Sequence, residues 1–168
     1  MAIERSRRRI GRTKLRTIAE ELLEASTLCA IATVARGSRA HVNTAYFAWT
    51  RELRLIWLSD PAAAHSRNLR VTRSAAVAVY DSSQTWGEPD RGIQLFGVAA
   101  EDSGDGEAAY AARFPGYEES RLDAYRFYEL VPRRVKLFDE RALGPGTFVS
   151  AHVSAGGTLE WERTDAYR

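Results

Sequence analysis

AIATVARGSRAHVNTAYFAWTRELRLIWLSDPAAAHSRNL, residues 30–69, reads as three strands joined by tight turns, ending in a polar loop and a short helix. Ala30-Ile31-Ala32-Thr33-Val34 is small and β-branched, a composition that suits a strand packed on both faces. Ala35-Arg36-Gly37-Ser38-Arg39 carries the glycine and polar residues of a hairpin turn. The chain resumes from His41 to Trp49 with apolar and aromatic residues, turns at Thr50-Arg51-Glu52, and runs from Leu53 to Leu58 as a third strand. Ser59-Asp60-Pro61 then signals a helix start, because a cap oxygen accepts early amide protons and proline lacks a donor where none is needed. A polar loop rich in Ser, His and Arg that feeds a helix N-terminus is suited to an anion.

Outward from this stretch, Leu15, Ile18, Ala19, Leu22 and Leu23 form one apolar stripe. Their spacing predicts an amphipathic helix over 14–25, capped by Thr13, with Glu20, Glu21 and Glu24 in water. Downstream, the pattern predicts a helix over 61–71, a buried strand over 75–80, a loop over 81–90 and a strand over 91–101. Two helices follow, over 107–113 and 118–125, parted by Pro115-Gly116. The segment 126–139 reads as one long strand or two, interrupted at Pro132, and 148–161 as a hairpin around Gly156-Gly157. The first three strands have no helical crossover between them, so the fold is mainly β, of the α+β class, and a closed or split barrel fits better than a parallel sheet. An N-terminal helix and short peripheral helices complete it.

Hydrophobic residues make up 45% of the 168, which excludes global disorder. The net charge of +2 is a local matter: Arg5, Arg7, Arg8, Arg9, Arg12, Lys14 and Arg16 crowd the start of the chain against Glu4 alone. Residues 1–12 are expected to be a flexible, solvated arm and 13–168 a single domain. No helix-turn-helix, finger or RNA platform accompanies the arginines, so no nucleic-acid partner is expected. Cys29 stands alone, which rules out an internal disulfide, suits a reducing, cytoplasmic setting, and reads as a buried inert thiol. No run approaches the roughly 20 apolar residues of a membrane span. His41, His65 and His152 lack metal-ligand spacing, and neither a Gly-x-Ser-x-Gly nor a Gly-x-Gly-x-x-Gly is present.

The order of strand, hairpin, strand, strand, then Ser-Asp-x₄-His-Ser-Arg-Asn-Leu, a small-residue strand and Gly-Ile-Gln-Leu-Phe-Gly is distinctive. It resembles the pyridoxamine 5′-phosphate oxidase-like family of FMN-binding split β-barrels over residues 28–97, with a looser echo at 127–139. The resemblance implies FMN held at the interface of a homodimer. It places the phosphate at the end of the third strand, by Leu58 and Ser59, and on the turn that follows. The family's Ser-Arg-Lys positions fall here on Ala63, Ala64 and His65, so two cations are missing, and Ser66 and Arg67 come next. Arg67 is the stronger anion ligand, since a guanidinium pairs bidentately with phosphate oxygens. The alternative reading makes Ser59 and Asp60 a plain helix cap and His65 and Arg67 surface groups.

Along the second strand the resemblance implies flavin contacts from Asn43, Thr44, Ala45 and Tyr46. The oxidase's opening Arg and closing Lys are replaced by Asn43 and Ala48. Its flavin-binding Gln corresponds to Gly92, while Gln94 lies on the same strand face. Trp86, on a glycine-containing loop, reads either as an indole stacked on a flavin or as an anchor for its loop. Tyr46, Phe47, Trp49 and Trp57 exceed what one small barrel is expected to bury, which predicts a homodimer. The oxidase's C-terminal Arg-x-His is absent, which argues against vitamin B6 oxidation. The activity implied is hydride or electron transfer between FMN and a small organic molecule. F420-dependent reduction on the same barrel, or non-catalytic flavin or haem binding, are the alternatives.

Overall fold

The structure, a computed structural model, describes residues 2–102, 104–118 and 124–167. The predicted apolar stripe is buried in α1 (Arg12–Glu24), where Leu15, Ile18, Ala19, Leu22 and Leu23 all lie inside. The helix begins after an extended Gly11 with no side-chain cap, so Thr13 sits within the first turn and does not cap it. The predicted strands become β2 (Leu28–Ala35), β3 (Arg39–Trp49) and β4 (Leu55–Ser59). Gly37 and Ser38 take the positive φ values of 74° and 59° that a tight hairpin needs.

The chain continues through α2 (Ala64–Val71), β5 (Ser74–Tyr80), β6 (Arg91–Glu101) and α3 (Gly106–Arg113). The predicted helix at 118–125 falls on 119–123, outside the described residues. After it come β7 (Arg126–Asp139), α4 (Glu140–Leu143), β8 (Thr147–Val153) and β9 (Leu159–Tyr167). The sheet runs β7-β4-β3-β2-β5-β6, and β6 pairs with β7 again to close a six-stranded barrel. The second half of β7 also carries β8, so one long strand belongs to both the barrel and an outer extension.

β7 is unbroken at Pro132. That residue faces Gly97 where the β6–β7 register shifts, and a bulge is the place where a strand tolerates proline. Phe47, Trp57, Leu55, Leu95 and Leu130 fill the interior at 0% exposure, and α1 packs against β5, β6, β7 and β9. The expected surplus of aromatics is therefore mostly absent. Phe47 and Trp57 point inward, Trp49 is half-buried with its indole N–H on Glu24, and of the four only Tyr46 is exposed.

The segment 1–12 is not a loose arm. β1 (Ile3–Ser6) pairs with β9, Arg8 donates to Leu143 O at 2.6 Å, Arg9 lies over Trp161, and Ile10 is buried. An exposed sheet edge offers unpaired backbone groups, and a short charged strand covers that edge well. Deleting residues 1–10 should lower the urea midpoint, with about 1.5–3 kcal/mol lost from the Ile10 side chain alone. An unchanged midpoint would show that the segment contributes nothing.

Candidate functional site

β3 is longer than its neighbour. It pairs with β4 only over Phe47, Ala48 and Trp49, whereas on the other side β2 accompanies it from Arg39 to Tyr46. After Ser59 the chain leaves the sheet, passes through 60–63, and folds back as α2 against β2. Among the described residues, β3 from Arg39 to Tyr46 thus has one edge without a strand beside it. A ligand could pair with backbone groups along that edge.

The helix starts later than Ser59-Asp60-Pro61 suggests. Asp60 Oδ1 accepts from Ala62 N at 2.7 Å, which makes a turn, and α2 begins only after Ala63. Ala63 has no side-chain oxygen, so the first amides of α2 are uncapped. Ser59, His65 and Ser66 are all buried beside that helix start. Ser59 Oγ lies 2.6 Å from His65 Nε2, and Ser66 Oγ donates to Ser59 Oγ at 3.4 Å. Asn68 Nδ2 donates to Thr33 Oγ1 at 3.0 Å and ties α2 to β2.

His41 joins this cluster. It pairs in register with the buried Thr33, and its ring stacks near His65 with centroids 6.4 Å apart and planes 28° from parallel. Its Nδ1 is enclosed and has no hydrogen-bond partner among the described residues. Asn43, two residues on, shares the same side of β3, as does Ala45 opposite the buried Cys29. The missed signal was the period of two along β3, which puts positions 41, 43 and 45 on one face.

Charge at the site is divided between two layers. Burial first, then the neighbouring His41, hold the His65 pKa below the ordinary imidazole value, so His65 is neutral at neutral pH. The fixed cations lie outside: Arg67 donates to Ala62 O and Arg70 donates to Pro61 O at 3.1 Å, both exposed at the rim of the 60–63 loop. Burial also pushes the Cys29 thiol up to about 12, which leaves it an unreactive core group.

The remaining predicted residues do not join this cluster. Thr44 and Tyr46 point to the outer face of the sheet, where Thr44, Ala30, Ala78 and Gln94 form one row across β3, β2, β5 and β6. Gln94 is therefore separated from Ser59 and His65 by the barrel wall. Leu58 packs with Ala48 and Ile56 beside α3, on the side of β4 opposite to Ser59. Trp86 is 98% exposed, so its indole anchors nothing within the chain; Gln84 holds that loop through Asp81 O and both backbone groups of Arg91. Next to the outer row lies a groove of about 390 Å³ lined by Leu28, Ala30, Thr44, Tyr80 and Asp81.

Uncapped amides, two hydroxyls, an imidazole and an arginine suit a phosphate group, and the open β3 edge suits the polar rim of a flat heterocycle. The donor set fits a phosphorylated flavin. No helix among the described residues is long and apolar enough to cross a membrane, and no group of three metal-ligating side chains occurs among them.

Comparisons with known proteins agree with this architecture. The family model described as pyridoxamine 5′-phosphate oxidase matches residues 16–139. The haem-binding protein of Mycobacterium smegmatis superposes with a TM-score of 0.64 at 20% identity, over 90% of this chain and 62% of its own. The haem storage protein of Vibrio cholerae gives 0.57 at 21% identity, over 68% and 87% of the two chains. An F420 reductase gives 0.54 at 20% identity, over 69% and 94%. A sequence search of curated proteins finds no match.

Proposed function

The chain belongs to the pyridoxamine 5′-phosphate oxidase family of split barrels, and from that premise we propose that it holds FMN and exchanges hydride or electrons with a small organic molecule. One observation carries the reading: the uncapped start of α2, with Ser59, His65 and Ser66 hydrogen-bonded beside it, lies where β3 loses its β4 partner. FMN, when bound, supplies the redox chemistry, and the protein supplies orientation and access. The α2 amides, Ser59 and Arg67 would hold the phosphate, and the free β3 edge with Asn43 would hold the ring. No lysine stands at Ala48, so charge on a reduced ring would be met by backbone amides.

A second copy is part of the proposal. Leu28, Val42, Tyr46, Tyr80 and Phe96 are 39–64% exposed around the row of small residues on the outer sheet face. An apolar face of this kind favours a homodimer. Such a dimer would bring one copy's Thr44, Gln94 and Trp86 loop toward its partner's cluster. A reducing, cytoplasmic setting suits the lone buried Cys29.

FMN is favoured over F420 by the position of the cations. Arg12, Arg16 and Arg51 line a groove by the β3–β4 turn, at the opposite end of β4 from Ser59. A longer anionic tail would find few fixed cations beyond Arg67 and Arg70. Arg67→Ala should weaken FMN binding about ten- to a hundredfold and riboflavin binding much less, because charge-assisted hydrogen bonds to phosphate contribute about 1.5–3 kcal/mol. Calorimetric titration of both ligands checks this; equal losses would mean damage to the fold, and no loss would move the phosphate elsewhere. The absorption spectrum of the purified protein separates flavin from F420 and from haem.

A further inference from the structure

We propose that His41 and His65 form a proton-recruiting pair that binds a phosphate monoester together with one proton, in the place where fixed cations would otherwise stand. The inference rests on the phosphate reading of the α2 start and adds to it a residue, His41, and a linked ion.

The geometry is specific. The two rings stack 6.4 Å apart, and Ser59 engages His65 Nε2 at 2.6 Å. His41 Nδ1 is enclosed without a partner, which leaves one buried nitrogen for an incoming oxygen. An unsatisfied buried polar atom carries a cost, and a ligand that bonds to it removes that cost.

The charged groups on the elements around the pair lie at its margin. Asp60 is on the loop with its carboxylate on Ala62 N, Arg67 and Arg70 of α2 turn to the loop carbonyls, and Arg39 and Arg36 belong to the β2–β3 hairpin. Arg73 precedes β5. β2 contributes Thr33, β5 carries no Asp, Glu, Lys, Arg or His, and the one such residue of β6 before Glu101, Arg91, pairs with Asp139 of β7 at 2.9 Å. The imidazoles are therefore the groups inside the mouth that can change charge near neutrality.

In the free protein a charge on His65 would stand in a buried site beside His41, so that ring resists protonation. His65 accordingly has its pKa lowered by burial and by His41. A phosphate dianion reverses that balance for one proton, while repulsion between the rings disfavours a second. Between the lowered pKa of the free state and the raised value of the complex, binding must take up a proton from solvent.

The test is calorimetric titration of FMN and riboflavin into the full chain at about pH 7, above the second phosphate pKa of about 6, in two buffers of different ionisation enthalpy. The expected result is proton uptake approaching one per FMN and none for riboflavin, with FMN affinity rising up to about tenfold for each pH unit lowered. His41→Gln should flatten the pH slope while FMN still binds better than riboflavin. The wild-type measurement stands even if that variant does not fold. FMN preferred over riboflavin with no proton uptake would overturn the pair and leave the phosphate site intact. Equal affinity for FMN and riboflavin at every pH would overturn the phosphate site and the pair with it.

Discussion

Gly97→Ala is expected to open the barrel, while Gly116→Ala leaves stability nearly unchanged. A Cβ on Gly97 would collide with the carbonyl oxygen of Val131 and stand 2.9 Å from Pro132 Cα. Both obstacles are backbone atoms on the strand that closes the barrel, so no rotamer change relieves them. The close approach exists because the register shifts there, with Phe96 opposite Arg134 and Gly97 opposite Pro132. Overpacking of this kind costs about 3 kcal/mol where neighbours cannot yield, a large part of the total stability of a small domain. A methyl group on Gly116 meets nothing within 4 Å. Urea denaturation of the two variants makes the comparison, and a wild-type midpoint for Gly97→Ala would mean that β6 and β7 do not close as described.

Local pattern was legible in the sequence where one element decides its own fate. The stripe from Leu15 to Leu23 is set by helical period and is buried as read, and β6 spans the predicted 91–101. Features decided by a distant partner were not legible. Nothing in 126–139 alone says that Pro132 will meet a glycine and leave the strand whole. The count of aromatics between Tyr46 and Trp57 does not reveal that Phe47 and Trp57 face each other across β3 and β4 inside the barrel. The arginines of 1–12 read as a solvated tail because the edge of β9 they cover lies at the far end of the chain.

The candidate site divides along the same line. Ser59, His65 and Ser66 were visible because turn and helix are contiguous. His41 was not, since only the β2–β3 register and the fold-back of α2 bring it to His65. The run from Asn43 to Tyr46 entered as one block through family resemblance. Strand alternation splits it, leaving Asn43 and Ala45 with the cluster and Thr44 and Tyr46 on the outer face.

That split gives the proposed dimer its sharpest test. Ala78→Arg should convert a species of twice the chain mass into a single chain and abolish FMN binding at micromolar concentration. Ala78 stands at the centre of the row that runs from Thr44 through Ala30 to Gln94, flanked by Ala76 and Tyr80 on its own strand. Methyl side chains there let a second sheet pack at about 10 Å. A guanidinium in that position would be buried against alanine on both sides, without a carboxylate in the row to receive it. Burying an unpaired charge costs several kcal/mol, and about 4 kcal/mol is a thousandfold in association. The single chain should still fold, because Ala78 is only half-buried within it and an arginine there can extend into water. Circular dichroism establishes that fold, sedimentation equilibrium gives the mass, and titration gives the FMN affinity. A folded monomer that binds FMN as tightly as wild type would confine the site to the Ser59–His65 mouth of one chain. A persisting dimer would move the contact off this face, and Thr44 and Gln94 would lose their route to the cofactor.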